Sequence, residues 1–186
     1  MSSVDLFHFD TLKTPRFQLR RPNEKDISAY QIIQHSDFVL QHNPMPKMSE
    51  QEIKKQFDED SNILIMEDVN QQLIGAIFVH HGTIRYWNQA VELSYFLKQE
   101  CASQGFMSEA LAYLMQELFL KEDIKVITVR VFAENIHSIN LAKKLGFKQE
   151  GYIHDCVLHQ GKLFDDIIFS LTKDDFMKGP FFIGNF

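Results

Sequence analysis

Residues 91–119 constrain the fold of this chain most strongly, because they change from a strand pattern to a helix pattern across a short loop. Residues 91–97 are rich in β-branched and aromatic side chains and show no helical period, which predicts a strand. After Gly105, the apolar residues recur at the spacing of one helix face: Phe106, Ala110, Leu111, Leu114, Leu118 and Phe119. The first amides of such a helix have no partner within it, and a glycine beside them lets an anion approach closely. The junction therefore suits a phosphate or pyrophosphate, and the alternative is an ordinary strand–helix connection.

Strand patterns recur along the rest of the chain. Besides 91–97, strands are predicted at residues 16–21, 63–67, 73–81, 125–132, 147–156 and 162–171. Residues 1–13 show no clear period and are either a flexible lead-in or a short edge strand. Gly75, inside the strand at 73–81, predicts a bulge or a close approach of another backbone.

Helix patterns separate these strands. Helices are predicted at residues 23–35, 49–57, 106–119 and 135–146, and residues 37–47, which contain two prolines, are predicted to be a loop. Asn23, Asn135 and a capping box of Ser49 and Glu52 mark helix starts, and Gly146 marks an end. This order predicts an α+β fold. We expect a mixed central sheet of about seven strands, built around a strand–helix–strand–helix crossover, with helices on both faces.

The composition fits one globular domain over residues 1–186. The chain has 186 residues, of which 45% are hydrophobic and 24% charged, and this length is sufficient to bury a core. Its formal net charge of −6 argues against nucleic acid as a partner. No apolar run approaches the ~18 residues of a membrane span and no signal peptide opens the chain, so no membrane partner is expected. The two cysteines, Cys101 and Cys156, favour a reduced, cytoplasmic setting.

Three stretches, in this order, resemble the GNAT superfamily of N-acetyltransferases, and within it the Rim-type group that includes the ribosomal-protein N-terminal acetyltransferases. Residues 91–111, VELSYFLKQECASQGFMSEAL, resemble the family's acetyl-CoA segment, including its strand glutamate and the helix pair Glu109 and Ala110. Residues 133–152, AENIHSINLAKKLGFKQEGY, resemble its second segment, and residues 161–171, GKLFDDIIFSL, resemble its last hairpin. The resemblance covers roughly residues 14–176 and implies the GNAT fold.

The resemblance also implies a co-substrate, acetyl-CoA, and a reaction in which a primary amine attacks it directly in a ternary complex. In the family, the pyrophosphate lies on the loop before the helix, and the pantetheine inserts between the two central parallel strands. The resemblance places Asn135 near the pantetheine and Ser138 near the thiol. The implied cofactor-binding residues are Phe96, Leu97, Ala102, Ser103, Gln104, Gly105, Phe106, Met107, Ser108, Asn135, Ser138 and Lys143.

The phosphate loop departs from the family pattern Gln/Arg-x-x-Gly-x-Gly/Ala. The corresponding residues are Ala102, Gly105 and Met107, of which only Gly105 matches, and Ser103 stands where glycine is common. Backbone amides make most phosphate contacts, so Ala102 is compatible with binding. Met107 is bulkier than the usual residue, and we expect it to weaken cofactor affinity or shift the pyrophosphate. A non-catalytic CoA-binding regulatory protein is therefore one alternative.

The resemblance assigns catalysis to Glu92 and Ser138. An amine must be neutral to attack a thioester, so a base or a water path must remove its proton. Glu92 occupies the position of the family's strand glutamate, and a carboxylate near an apolar sheet has a raised pKa. The alternative is a charged residue on an exposed strand face. Many family members have a tyrosine acid where this chain has Ala142. The thiolate is then protonated by Ser138, by water or by no dedicated acid. The alternative explanation of Ser138 is a serine on the helix surface without a catalytic role.

Other reactive side chains fit less well. His154, Cys156 and His159 lie close in sequence, but a zinc site needs about four ligands, so no metal is predicted. Cys101 lies in the phosphate loop near a helix N-terminus, which is expected to lower its pKa. A nucleophilic thiol is nevertheless not expected, because the family transfers acetyl directly to the amine.

The acceptor and the oligomeric state are the least constrained. The Rim-type resemblance implies a peptide or protein N-terminal amine, and the alternative is a small-molecule amine such as a polyamine or an antibiotic. An α-amino group, with a pKa of about 8, is more easily deprotonated than a lysine-like amine at about 10.4, which favours the N-terminal amine. The C-terminal aromatics, Phe176, Phe181, Phe182 and Phe186, are expected to be exposed and are candidates for the contact surface of a homodimer.

Overall fold

A computed structural model describes residues 6–43, 45–81, 89–121, 123–159 and 161–183. Over these residues the strands are β1 (Thr11–Lys13), β2 (Phe17–Arg20), β3 (Ile63–Asp68), β4 (Leu73–His81), β5 (Ala90–Leu97), β6 (Val126–Phe132), β7 (Lys148–His159) and β8 (Lys162–Thr172). The α-helices are α1 (Ile27–Gln34), α2 (Asp37–Leu40), α3 (Glu50–Glu59), α4 (Phe106–Leu120), α5 (Ile136–Lys144) and α6 (Lys173–Lys178). The strands form one mixed sheet in the order β1-β2-β3-β4-β5-β6-β8-β7. The α+β fold is confirmed.

The described chain divides into two compact units. The first contains the residues up to Val79 together with Tyr95–Tyr113, and the second contains the described residues of His80–Ser94 and those from Leu114 onward. Strand β5 and helix α4 therefore each contribute residues to both units.

In the first unit, α1, α2 and α3 pack apolar side chains against the antiparallel pair β3 and β4. Two of the predicted caps are present: Asn23 accepts a hydrogen bond from the amide of Lys25, and Ser49 and Glu52 form a capping box. Aromatic rings fill the centre, where the ring of Tyr30 lies 5.3 Å from that of Phe96. The buried residues of this core are Tyr30, Ile33, Val39, Ile53, Ile63, Ile65, Leu73, Ala76, Phe78 and Phe96.

Gly75 of β4 lies directly against the backbone of β5. A Cβ at this position would lie 2.7 Å from the carbonyl oxygen of Phe96, closer than real Cβ atoms approach a backbone oxygen. Next to it, the amide of Lys98 donates to the carbonyl of Ile74 at 2.8 Å. The predicted close approach at Gly75 is therefore confirmed, and it fixes the C-terminal end of β5 beside β4.

In the second unit, β5 runs parallel to β6 between the pairs Ala90–Val126 and Leu93–Val129. Strand β8 is antiparallel to β6, and β7 is antiparallel to β8. Asn135 caps α5 as predicted, and Gly146 follows that helix with a left-handed φ of 92°. Strand β7 bulges between Ile153 and Val157, which extends the hairpin beyond its predicted end.

Four expectations need correction. The sheet has eight strands instead of about seven, because the short edge strand that was one alternative for residues 1–13 is present as β1 and pairs with β2. The predicted loop at 37–47 contains α2, which Ser36 caps. Helix α6, capped by Thr172, follows β8 and was not predicted.

The expected exposed aromatic surface at the C-terminus is also wrong for Phe176. Its side chain is 2% exposed, and its ring lies 5.2 Å from that of Phe119. Phe181 and Phe182 are half-buried, and Phe186 lies outside the described residues. No helix in the described part of the chain is long and apolar enough to cross a membrane.

Candidate active site

The loop between β5 and α4 has the backbone of an anion-binding turn. After a 3₁₀ turn at Gln99–Cys101, Ser103 and Gly105 adopt left-handed φ angles of 58° and 80°, and α4 begins at Phe106. Among the described residues, no backbone carbonyl accepts a hydrogen bond from the amides of residues 106–108. The Ser108 hydroxyl closes the turn by donating to the Gly105 carbonyl at 2.9 Å. The first turn of α4 therefore offers its amides to an anion.

Arg16, immediately before β2, holds this loop. Its Nε donates to Oε2 of Glu109 at 2.6 Å, and its Nη1 donates to the carbonyl of Gln104 at 2.9 Å. The guanidinium carbon lies 4.1 Å from the centre of the Phe106 ring. In the described chain Nη2 has no acceptor, and it would lie 3.6 Å from a Cβ on Gly105. A positive group is thus fixed beside the N-terminus of α4, where it adds to the positive potential of the helix.

The Met107 side chain is not at the surface of this loop. Its side chain is 7% exposed and lies in the interior, whereas Ser103 and Gln104 are exposed at the loop surface. Ala102 is half-buried with an extended backbone. The side chain of Met107 is thus directed into the interior, and its expected effect on cofactor affinity stays a prediction.

Phe96 and Leu97, both predicted to bind pantetheine, have different orientations. The Phe96 carbonyl faces Gly75 and the Lys98 amide bonds to β4, so the N–H and C=O of Leu97 point away from β4. The Phe96 side chain is 3% exposed and packs against Tyr30. Leu97 has the orientation needed to pair with a ligand, and Phe96 supports the strand from the core.

Asn135 and Ser138 lie together at the N-terminus of α5. The Oδ1 of Asn135 accepts a hydrogen bond from the Ser138 amide at 3.1 Å, so this oxygen is occupied by the helix cap. The Asn135 Nδ2 has no partner within the described residues, and the Ser138 side chain is half-buried. Lys143 is exposed in the last turn. Asn135 and Ser138 therefore lie on the first turn of the same helix.

Glu92 on β5 is half of an ion pair. Its Oε2 lies 3.4 Å from the Nε of Arg130 on β6, and its side chain is 28% exposed. Two residues along β5, the Ser94 hydroxyl lies 2.9 Å from the Nε2 of His80. The surroundings of Glu92 are therefore polar, in contrast to the apolar setting that the sequence suggested.

The remaining candidates have structural explanations. Burial raises the pKa of the Cys101 thiol, which outweighs the smaller lowering by the charge of Lys98, so the expected direction of this shift is wrong. The Nδ1 of His154 lies 3.4 Å from Oδ2 of Asp165. Over the described ranges, no group of three or more His, Cys, Asp or Glu side chains is arranged to hold a metal ion.

The predicted site residues belong to both units. Phe96, Leu97 and residues 102–108 lie in the first unit, and Glu92, Asn135, Ser138 and Lys143 lie in the second. Arg16 is the residue that sequence reasoning missed in the first unit. It lies 93 positions from Glu109, and no local period connects two residues so far apart.

Comparison with known proteins gives consistent matches. The sequence model of the family described as "Acetyltransferase (GNAT) domain" matches residues 16–148. The chain is 31% identical over 112 residues to the ribosomal protein uS5-alanine N-acetyltransferase of Escherichia coli (strain K12). The aligned region covers 60% of this chain and 58% of that enzyme.

Solved structures with the same fold include two acetyltransferases with different named acceptors. The ribosomal-protein-S5-alanine acetyltransferase of Vibrio fischeri has a TM-score of 0.78 at 19% identity, over 89% of this chain and 98% of that one. The spermidine N-acetyltransferase of Vibrio cholerae, in complex with CoA and spermine, has a TM-score of 0.78 at 17% identity, over 88% and 99% of the two chains. At these identities the likeness is one of fold.

Proposed function

The chain belongs to the GNAT acetyltransferase family and is an N-acetyltransferase, and from this premise we propose that it transfers acetyl from acetyl-CoA to the N-terminal amine of a peptide or protein. The loop before α4 is the observation that carries the proposal. Its left-handed residues, its amides without acceptors in the described chain and the fixed guanidinium of Arg16 fit the pyrophosphate of a coenzyme A thioester.

Most of the predicted binding residues have surroundings that allow a specific role. The amides of Phe106, Met107 and Ser108 and the Nη2 of Arg16 contact the pyrophosphate, with Ser103 and Gln104 at the rim of the loop. The backbone of Leu97 pairs with the pantetheine, because its polar groups point away from β4. The Nδ2 of Asn135 is a second donor for the pantetheine amides, and exposed Lys143 is a cation for the outer phosphates.

The reaction needs an amine that is neutral and correctly placed. Glu92 contacts the acceptor ammonium, and Arg130 holds its carboxylate in position. After acetyl transfer, the Ser138 hydroxyl donates a proton towards the thiolate. This last assistance is modest, since a thiol of pKa about 8.5 is a tolerable leaving group without help.

The properties of the acceptor amine favour a peptide N-terminus. At neutral pH an α-amino group of pKa about 8 is neutral in a useful fraction, whereas a polyamine or lysine amine of about 10.4 is almost fully charged. Similarity to the uS5-alanine enzyme supports the same class. The net charge of −6 does not separate the two, because both acceptors are cations before they react.

Thiol release from acetyl-CoA tests the proposal directly. Peptides that begin with Ser, Ala or Thr are expected to react faster than spermidine or than a peptide with a blocked N-terminus and a free lysine. Faster transfer to spermidine or to an aminoglycoside, with the peptides silent, would replace the acceptor class and leave the acetyltransferase assignment intact. Binding of acetyl-CoA without thiol release on any amine would favour a non-catalytic regulatory protein.

A further inference from the structure

Asp166 on β8 is a nearly buried carboxylate to which the proposed function gives no role. Its side chain is 6% exposed, and burial raises its pKa more than the nearby charge of Arg130 and the Cys156 thiol lower it. Its register partners on the neighbouring strands, Phe132 of β6 and Ile153 of β7, are both apolar. In the part of the chain that the structure describes, no basic side chain lies within ion-pair distance of it.

Asp166 shares a face of the sheet with Glu92 and Arg130. Glu92 pairs in register with Thr128, and Arg130 and Phe132 follow on the same face of β6, because side chains alternate along a strand. Asp166 is paired with Phe132 and therefore also lies on this face. Along β6, Arg130 lies between the residues opposite Glu92 and Asp166, and the Glu150 carboxylate accepts from the Ser170 hydroxyl on the same face at 2.6 Å. Glu92 forms an ion pair with Arg130. The charge of Arg130 acts on Asp166 only at longer range, where it lowers the pKa of the carboxyl.

Asp166 also lies beside the turn that leads to Asn135 and Ser138. Its register partner Phe132 is the last residue of β6, and the Asn135 amide donates to the Phe132 carbonyl at 2.9 Å. The proposed function assigns the thioester end of the cofactor to this turn. A buried carboxyl therefore lies at the end of β6 from which this turn begins.

On the basis of the proposed function, we propose that Asp166 receives the proton of the acceptor ammonium, and that Glu92 binds this ammonium without accepting the proton. The ammonium gives one proton to the Asp166 carboxylate, and the neutral nitrogen attacks the acetyl carbonyl. The new C–N bond forms and the C–S bond breaks. The nitrogen gives its second proton to the Ser138 hydroxyl as that hydroxyl donates its own proton to the departing thiolate. Asp166 then returns its proton to solvent. Because burial raises the pKa of Asp166, its carboxylate accepts a proton more readily than an exposed aspartate does.

The test compares pH profiles of acetyl transfer. Asp166→Asn is expected to lower kcat/KM by roughly a hundredfold near neutral pH. The loss should shrink as the pH approaches the pKa of the amine, because solvent then removes the proton. Glu92→Gln is expected to raise KM for the amine and to keep the shape of the wild-type profile. If Asp166→Asn keeps the wild-type profile, or if Glu92→Gln is the variant whose deficit disappears at high pH, the assignment of the proton to Asp166 is overturned.

Asp165 provides a matched control on the neighbouring position. Its carboxylate accepts from the Tyr152 hydroxyl at 2.7 Å and from the Asp155 amide at 2.8 Å, so it stabilises the bulge of β7 on the opposite face of the sheet. Asp165→Asn should lower the melting temperature and leave the pH profile unchanged. The same change of profile in both variants would mean that hairpin stability, and not proton transfer, causes the effect.

A second variant separates proton transfer from folding and from the proposed function itself. Asp166→Ala leaves room for a small carboxylate, so added formate should restore part of its activity, and acetyl-CoA should still raise its melting temperature. No rescue, together with the wild-type profile, counts against Asp166 as the proton acceptor. If the wild-type protein acetylates no amine at all, the proposed function fails first.

Discussion

The Nε of Arg16 lies 2.6 Å from Oε2 of Glu109, so a residue beside β2 is joined to the first turn of α4. We expect Arg16→Lys to raise KM for acetyl-CoA by about three- to tenfold with little change in kcat, because a lysine cannot bond Glu109 and the Gln104 carbonyl together. Steady-state kinetics with varied acetyl-CoA measures this change.

The control for Arg16 is Lys55→Arg, which replaces one cation with another at an exposed position. The Nζ of Lys55 lies 3.9 Å from Oε1 of Glu59. This variant should keep the wild-type KM. An Arg16→Lys enzyme with unchanged KM for acetyl-CoA would mean that the guanidinium stabilises the loop without contributing to cofactor binding.

Gly105→Val should remove the stabilisation that acetyl-CoA gives to the protein. A ligand at a hundred times its Kd stabilises the native state by about 2.7 kcal/mol, which appears as a higher melting temperature. Valine at Gly105 blocks close approach to the amides of α4 and is strained at a φ of 80°. Thermal unfolding with and without acetyl-CoA gives the shift.

The matched control for this variant is Gly161→Val. Gly161 has a similar φ of 77° in the β7–β8 turn, and a Cβ there meets nothing within 4 Å. The control should lose comparable stability from the strained backbone and retain its response to acetyl-CoA. If both variants still respond fully, the cofactor binds elsewhere.

Glu92→Gln tests the carboxylate paired with Arg130. We expect acetyl-CoA to bind with unchanged affinity and KM for the peptide acceptor to rise by roughly tenfold, because a neutral amide attracts the ammonium less strongly. The measurement is a kinetic series with one peptide at fixed, saturating acetyl-CoA. Unchanged kinetics would leave the Glu92–Arg130 pair as a feature of strand pairing alone.

Asp166 should also affect the dependence of stability on pH. Burial raises the pKa of its carboxyl in the folded state, so the native protein holds this proton to a higher pH than the unfolded chain does. The stabilisation that this proton gives the folded state is therefore fully present below the pKa of the unfolded chain, about 3.9. It is lost as pH rises through the higher pKa of the folded state. Asp166→Asn should accordingly raise the melting temperature at neutral pH and lose this advantage near pH ~4. An equal difference at all pH values contradicts a buried, titrating carboxyl.

Sequence patterns predict the fold where the signal is local. The caps at Asn23, Ser49 and Asn135 and the strand at residues 91–97 were predicted because each needs only neighbouring residues. Helix α2 was not predicted, because its four residues are too few to show a period. Helix α6 could have been predicted from Thr172, which caps it by accepting from the Asp175 amide.

The candidate site was predicted only in part, because some of its contacts connect distant segments. Arg16 meets Glu109 only after folding, and Arg130 meets Glu92 only after two strands pair. The position of Asp166 on the sheet could have been predicted from the sequence, because two successive aspartates on a strand must face opposite sides of a sheet. One of them therefore had to lie on the face that carries Glu92.

The close approach at Gly75 has a consequence for genetic screens. Any side chain there would collide with the carbonyl oxygen of Phe96, and backbone atoms cannot move aside as a flexible side chain can. Substitutions at Gly75 would displace the end of β5 and with it the backbone of Leu97. A screen that scores only activity would therefore rank Gly75 with the residues that perform the chemistry, although it has no group that could take part in it.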